Sequence, residues 1–256
     1  LRCKYNAAFK NLHIAASGNY NLFTTTNATY DPTLHVEDCT VDAAYNVVYD
    51  SHNTQNFKSV YFGNSIVKMT VANKPFYSTK AKDAHTQQLI RLDNNVFYAE
   101  TPLQNYLINC GDRSQAFQTT RLQVEVTNNT IYNIYQPNIM IRAYVLAGLT
   151  VTKNVGYYTG VTAKNYLTGV YDTAGFTADK AEVTYNYLYT APVSDTNFWS
   201  AKHTGSYTPA NNQMGDGVEA PFSSMDAAKG YFPVDASVVK TGAGATYDTK
   251  AWFKAE

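Results

Sequence analysis

Arg91, Asp93 and Glu125 are the residues of this 256-residue chain whose types and spacing point most directly to chemistry. Two carboxylates beside a guanidinium can do two kinds of work. They can hold a calcium ion against an acidic sugar while the arginine assists proton abstraction, as a polysaccharide lyase requires. Set about 5–10 Å apart, they can instead act as the acid and base of a glycoside hydrolase. Glu37 enlarges the acidic set, so Glu37, Asp93 and Glu125 are the candidate Ca²⁺ ligands. His35 and Tyr61 are candidate substrate contacts beside them. Tyr98, Tyr132, Tyr157 and Tyr189 form a second group. Tyrosine rings can stack on sugar faces while keeping a polar tip in water.

These residues are far apart in the chain, and a repeat is what would bring them together. A strand pattern, apolar–x–apolar–x–(Asn/Asp)–(Asn/Ser/Cys)–x–apolar, recurs in Leu34–Val41, Val60–Val67, Ile90–Phe97, Val124–Ile131, Leu149–Gly156 and Ala181–Leu188, with a degenerate first copy in Ala7–Ile14. Aligned on Asp38, Asn64, Asn94, Asn128, Lys153 and Tyr185, the copies are 26, 30, 34, 25 and 32 residues apart. Strict alternation marks a strand with one buried face. A unit this short cannot bury that face alone, so the copies must stack and share an interior. Further apolar runs, such as Val47–Tyr49, Pro75–Tyr77, Tyr106–Ile108 and Ile139–Ile141, supply the other sheets. The expected fold is all-β: a right-handed parallel β-helix of about six or seven coils over residues 1–190. Residues 191–256 form an irregular C-terminal capping tail on the same domain, in which Ser224–Lys229 is expected to make one helical turn.

The residue after each aligned position is Cys39, Ser65, Asn95, Asn129, Asn154 or Asn186. The asparagines read as an internal ladder, each tolerating a left-handed backbone and bonding the amides above and below. Cys39 reads as a small buried apolar residue. In register, His35, Tyr61, Arg91, Glu125, Thr150 and Glu182 share one outward column. Glu37, Gly63, Asp93, Thr127, Thr152 and Thr184 share the next. With strands about 4.8 Å apart, Arg91, Asp93 and Glu125 become one exposed patch, dented at Gly63. A solvated sheet face with cross-strand Arg–Glu pairing is the alternative reading of that patch. The tyrosine column would be a strip about 15 Å long, unless the tail covers it.

Composition bounds the partners. Twenty Lys+Arg balance twenty Asp+Glu and the pI is about 7.1, so no basic field draws nucleic acid. No apolar run is long enough to span a bilayer. Three cysteines (Cys3, Cys39, Cys110) without a Cys-x-x-Cys pair argue against a disulfide framework or a zinc site. The five histidines (His13, His35, His52, His85, His203) lack metal-ligand spacing. The chain starts at Leu1 without a signal-like segment, which suggests a mature fragment or a piece of a longer chain with further domains.

The segment Val124–Asn133 is very similar to the Val-x-Asn-Asn-Thr-Phe-Tyr-Asn strand of the pectin-lyase-like superfamily of right-handed parallel β-helices. The likeness covers about residues 7–190. The chain as a whole resembles secreted or surface β-helix proteins of gut-type bacteria linked to glycan use. That resemblance implies an extracellular or cell-surface location and a polysaccharide partner. No segment matches a lyase or pectin-hydrolase active-site motif, so no catalytic residue is carried over from it. The first expectation is therefore a polysaccharide-binding module that does not turn its ligand over and needs no cofactor. The second is a lyase or hydrolase of an acidic glycan, with Ca²⁺ if a lyase. The third is a structural or adhesive stalk.

Overall fold

Alternating apolar and polar residues separated by Asn-rich corners fold into three parallel sheets that run the length of a solenoid. The computed structural model describes residues 1–16, 18–25, 31–43, 45–50, 57–79, 88–110, 122–136, 139–143, 147–158, 166–170, 178–190, 197–200, 207–216 and 218–247. His52, His85, His203 and Trp252 lie outside the described residues. Sheet I holds eight strands, including Phe23–Thr25, Val48–Asp50, Tyr77–Thr79, Ile108–Cys110 and Ile139–Ala143. Sheet II holds seven, from Ala7–Lys10 through Leu89–Asp93 to Ala181–Thr184. Sheet III holds eight, from His13–Ala16 through Thr130–Tyr135 to Gln213–Met214. The protein is thus an all-β parallel β-helix. It has about five regular turns rather than six or seven. The outermost strands of sheets I and III, Arg2–Cys3 and Gln213–Met214, are only two residues long and leave the end coils incomplete. Among the described residues, no helix is long and apolar enough to cross a membrane.

The inward faces share one core. Phe9, Phe23, Phe62, Phe76 and Phe97 follow one another along it with ring centroids 4.8–6.1 Å apart. Val36, Val60, Leu92, Val126 and Val151 line it without solvent exposure. Such burial is the main stabilising term, at roughly 25 cal/mol per Å² of apolar surface.

The corner between sheets II and III is built the same way in every coil. Asn11, Asp38, Asn64, Asn94, Asn128, Lys153, Tyr185 and Asn211 all have φ between 49° and 58°. The left-handed conformation therefore falls on the residue before the ladder position, not on the ladder asparagine as expected. Asn and Asp tolerate it because a short polar side chain bonds locally; other side chains crowd the carbonyl at a cost of about 1–2 kcal/mol. Lys153 and Tyr185 bear that cost. Lys153→Asn is expected to raise stability by about 0.5–1 kcal/mol in urea unfolding. No gain there would mean that the corner is held too firmly by its neighbours for local preference to matter.

The ladder lies just inside this corner. The backbone N–H of Ser65 donates to Asn95 Oδ1, that of Asn95 to Asn129, that of Asn129 to Asn154, and that of Asn154 to Asn186, all at 2.9–3.0 Å. Each Nδ2 from Asn95 to Asn154 also reaches the next Oδ1, at 2.9–3.1 Å. Cys39 occupies the same position in an earlier coil, is buried, and donates its N–H to Ser65 Oγ. The ladder runs one coil further than the repeat suggests. Asn186 bonds Asn212 through both its N–H (2.8 Å) and its Nδ2 (2.9 Å). Asn212 escaped the pattern because Pro209 stands where the second apolar residue of the strand should be, although Asn211 stands 26 residues after Tyr185.

The tail residues 218–247 lie along the outside of sheet III. They carry a second apolar cluster, Phe222, Phe232, Val239, Ala243 and Ala245, packed on Ile66, Val96, Val155 and the tyrosines of that sheet. Gly244, at φ 103°, passes so close that a Cβ would meet Val234 at 2.4 Å and Val155 at 3.1 Å. Ser224–Lys229 is a turn rather than a helix: the N–H groups of Ala228 and Lys229 donate to Asp226 Oδ1.

Candidate functional site

Sheet II brings the charged residues together in the expected register. His35 pairs with Tyr61, Tyr61 with Arg91, Arg91 with Glu125, and Glu37 with Gly63, which pairs with Asp93. Their charged side chains are already engaged, with one another or with neighbouring residues. Arg91 Nε donates to Glu125 Oε2, and that bond holds the guanidinium charge more firmly than usual. Asp93 Oδ1 accepts from Thr127 Oγ1 at 2.6 Å and from Asn128 Nδ2 at 3.1 Å. Glu37 accepts from Lys10 Nζ at 3.0 Å, which keeps its carboxyl below the ordinary range, and lies 3.6 Å from His35 Nε2. The dent expected at Gly63 is filled. A Cβ there would sit 2.1 Å from the Tyr61 hydroxyl, because that ring folds across the glycine. His35 in turn lies 4.5 Å from the Tyr61 ring, and partial burial raises the phenol's pKa. Glu37 and Asp93 stand two strands apart, and no group of three or more His, Cys, Asp or Glu among the described residues is placed to hold a metal ion.

The tyrosine column is also in register: Tyr98, Tyr132, Tyr157 and Tyr189 are paired neighbours on successive strands of sheet III. It is not an open strip. Tyr98, Tyr157 and Tyr189 are 4%, 8% and 8% exposed. The Phe232 ring stacks on Tyr132 at 4.0 Å, and Phe222 lies 5.5 Å from Tyr157. Burial pushes the Tyr98 hydroxyl up to about 12. These four residues are therefore the floor of the tail's apolar cluster, and the expected sugar-binding surface is closed. The physical reason is that Val96 and Val155 face outward two residues before Tyr98 and Tyr157, with Ile66 paired beside Val96, so this face is too apolar to remain in water.

An open concave surface lies instead beside sheet I, a cleft of about 340 Å³. Four successive coils build it. Phe23 pairs with Val48, Val48 with Tyr77 and Tyr77 with Ile108, so the outward residues Tyr49, Ser78 and Asn109 line up along it. Turn residues Asn21, Tyr45 and Lys74, with Tyr106, close its wall. Three coil spacings give it a length of about 14 Å along the solenoid. Lys74 Nζ donates to Tyr45 Oη at 2.6 Å and lies 4.0 Å from that ring's centroid. Just beyond, Arg142 Nη2 donates to Asn109 Oδ1 at 2.6 Å and lies over the Tyr106 ring at 4.5 Å. Amides, hydroxyls and an ammonium share the lining with aromatic and other apolar surface, and no carboxylate belongs to it among the described residues. Such a surface can bind a polar ligand by many hydrogen bonds; it holds no acid–base pair.

None of the cleft residues was singled out from the sequence. The usable signal was a recurring triplet, two buried apolar residues and then an outward one, in Val47–Tyr49, Phe76–Ser78 and Leu107–Asn109, which puts Tyr49, Ser78 and Asn109 in one column. The turn residues that complete the wall carry no repeated residue type, although they follow the same coil register. Compared with known protein families, curated proteins and solved structures, the chain matches none of them.

Proposed function

We infer that this protein is a secreted or cell-surface polysaccharide-binding β-helix module, related to the pectin-lyase-like superfamily, which holds its ligand without turning it over. The observation that carries this reading is the cleft beside sheet I, with three tyrosines, four asparagines and Lys74 converging on a groove long enough for a stretch of glycan. Sugars offer hydroxyl donors and acceptors on every edge, and this lining has complementary groups along its whole length. The carboxylates and arginine on sheet II favour the bland alternative for that face: Arg91 is tied to Glu125, and Asp93 to Thr127 and Asn128.

The test is a panel of neutral and acidic polysaccharides, titrated calorimetrically against the unaltered protein, Lys74→Ala, Tyr49→Ala and Arg91→Ala. Lys74→Ala and Tyr49→Ala should each weaken binding on the order of tenfold, about 1.4 kcal/mol. Arg91→Ala should bind as the unaltered protein does. Binding lost in Arg91→Ala but kept in the cleft variants would move the site to sheet II, and unsaturated products absorbing in the ultraviolet would make the protein a lyase.

A further inference from the structure

One atom of the cleft lacks what the ladder asparagines all have. Asn46 is 6% exposed and its Nδ2 donates to Asn21 Oδ1 at 2.7 Å, yet its Oδ1 has no hydrogen-bond partner among the described residues. The register explains why. Phe23 pairs with Val48 and Val48 with Tyr77, so extending the pairing by two residues puts Asn21, Asn46 and Pro75 in one column. Asn21 and Asn46 begin a second amide stack. In the main ladder each Oδ1 accepts from the preceding coil, but here Asn46 donates to the preceding coil. A donor to its Oδ1 must therefore come from the next coil, and that coil supplies proline, which has no side-chain donor. The stack stops with an acceptor facing the break. Buried side-chain acceptors without a partner are uncommon in folded proteins and call for a specific cause. Asn46 belongs to the cleft lining. Its oxygen is shut from water. The terminal amide torsion is soft, so the amide can turn without moving the backbone. Asn21 carries the same soft amide and can turn with it.

We propose that Asn46 is the acceptor by which the cleft recognises a sugar hydroxyl, with Lys74 in the next coil donating to the oxygen of the adjacent hydroxyl. An ammonium has three donors, and Tyr45 takes one of Lys74's. The ligand class this selects is a polymer of rings bearing neighbouring free hydroxyls, one of which must donate. The assignment rests on the polysaccharide reading above and adds the group that decides specificity.

The experiment uses whichever polysaccharide of the panel the unaltered protein binds, together with its per-O-methylated form. Asn46→Ala should weaken binding of the native polysaccharide about tenfold, with an unchanged circular dichroism spectrum, and methylation should weaken binding to the unaltered protein at least as much. Pro75→Asn supplies the missing donor from within the chain. It should raise the melting temperature by about 2–4 °C and also weaken binding, because Asn46 is then satisfied before the ligand arrives. Native binding retained by folded Asn46→Ala, or equal binding of the methylated polymer, overturns the role of Asn46 and leaves the polysaccharide reading standing. An unaltered protein that binds nothing on the panel overturns both.

Discussion

Asn129→Ala is expected to cost about 3–5 kcal/mol of folding stability, the largest effect of any single side chain on the solenoid. Asn129 has no solvent exposure. Its Nδ2 donates to Leu92 O, Thr127 O and Asn154 Oδ1, each at 2.9 Å. Its Oδ1 accepts from Asn95 N at 2.9 Å and from Asn95 Nδ2 at 3.1 Å. Alanine would leave a backbone N–H and two side-chain amides short of partners in a place that water does not reach. Each unsatisfied group costs about 1–3 kcal/mol. Against a total stability of roughly 5–15 kcal/mol, the loss would be plain in a urea titration. Asn129→Ser should recover part of it, because Ser65 already serves in the same column: its Oγ accepts from Cys39 N at 3.1 Å and donates to Gly63 O at 2.8 Å. A loss below about 1 kcal/mol for the alanine variant would show that water can replace the ladder, and the structural role assigned to it would fall.

Phe232→Ala should have the next largest effect and a different character. The ring is fully buried, stacked on Tyr132 at 4.0 Å and set 5.9 Å from Tyr98 and 5.7 Å from Phe222. Removing a buried phenylalanine typically costs about 3–5 kcal/mol. Beyond that packing, the tail is tied to the solenoid by a handful of hydrogen bonds, among them Gly244 N to Lys153 O at 2.8 Å, Ala245 N to Thr130 Oγ1 at 3.0 Å, Thr246 N to Asn94 Oδ1 at 2.7 Å, Lys240 N to Gln213 Oε1 at 2.7 Å and Gln213 Nε2 to Val238 O at 2.7 Å. The loss should therefore appear as local release of residues 218–247, with the sheets intact. Limited proteolysis should cut within 218–247 much faster than in the unaltered protein, near-ultraviolet circular dichroism should change, and the far-ultraviolet β signal should persist. Tail cleavage at the unaltered rate would show that the ring stack is not what holds the tail down.

Much of the architecture was legible in the chain because its causes are local. A period of two places side chains in or out of a strand. The left-handed corner restarts that count at the same place in every coil. Together they bring His35, Tyr61, Arg91 and Glu125 into one column before any fold is known, and the pairings follow that column residue for residue. The buried asparagines followed from the same count. The coil total did not, because the end strands are too short to close a turn.

Alternation separates inside from outside relative to the solenoid axis, and it is silent on what lies against the outside. Tyr132 and Tyr61 occupy equivalent outward positions on their sheets, yet Tyr132 lies beneath Phe232, which arrives from 100 residues further along the chain. The outward Ile66, Val96 and Val155 hinted at a cover, but no period in the tail said where Phe222 and Phe232 would land. The same limit hid the cleft. Its wall joins Tyr45, Lys74 and Tyr106 from turns of three coils, and the residue types of these turns do not repeat, so only their approach in space makes a binding surface of them.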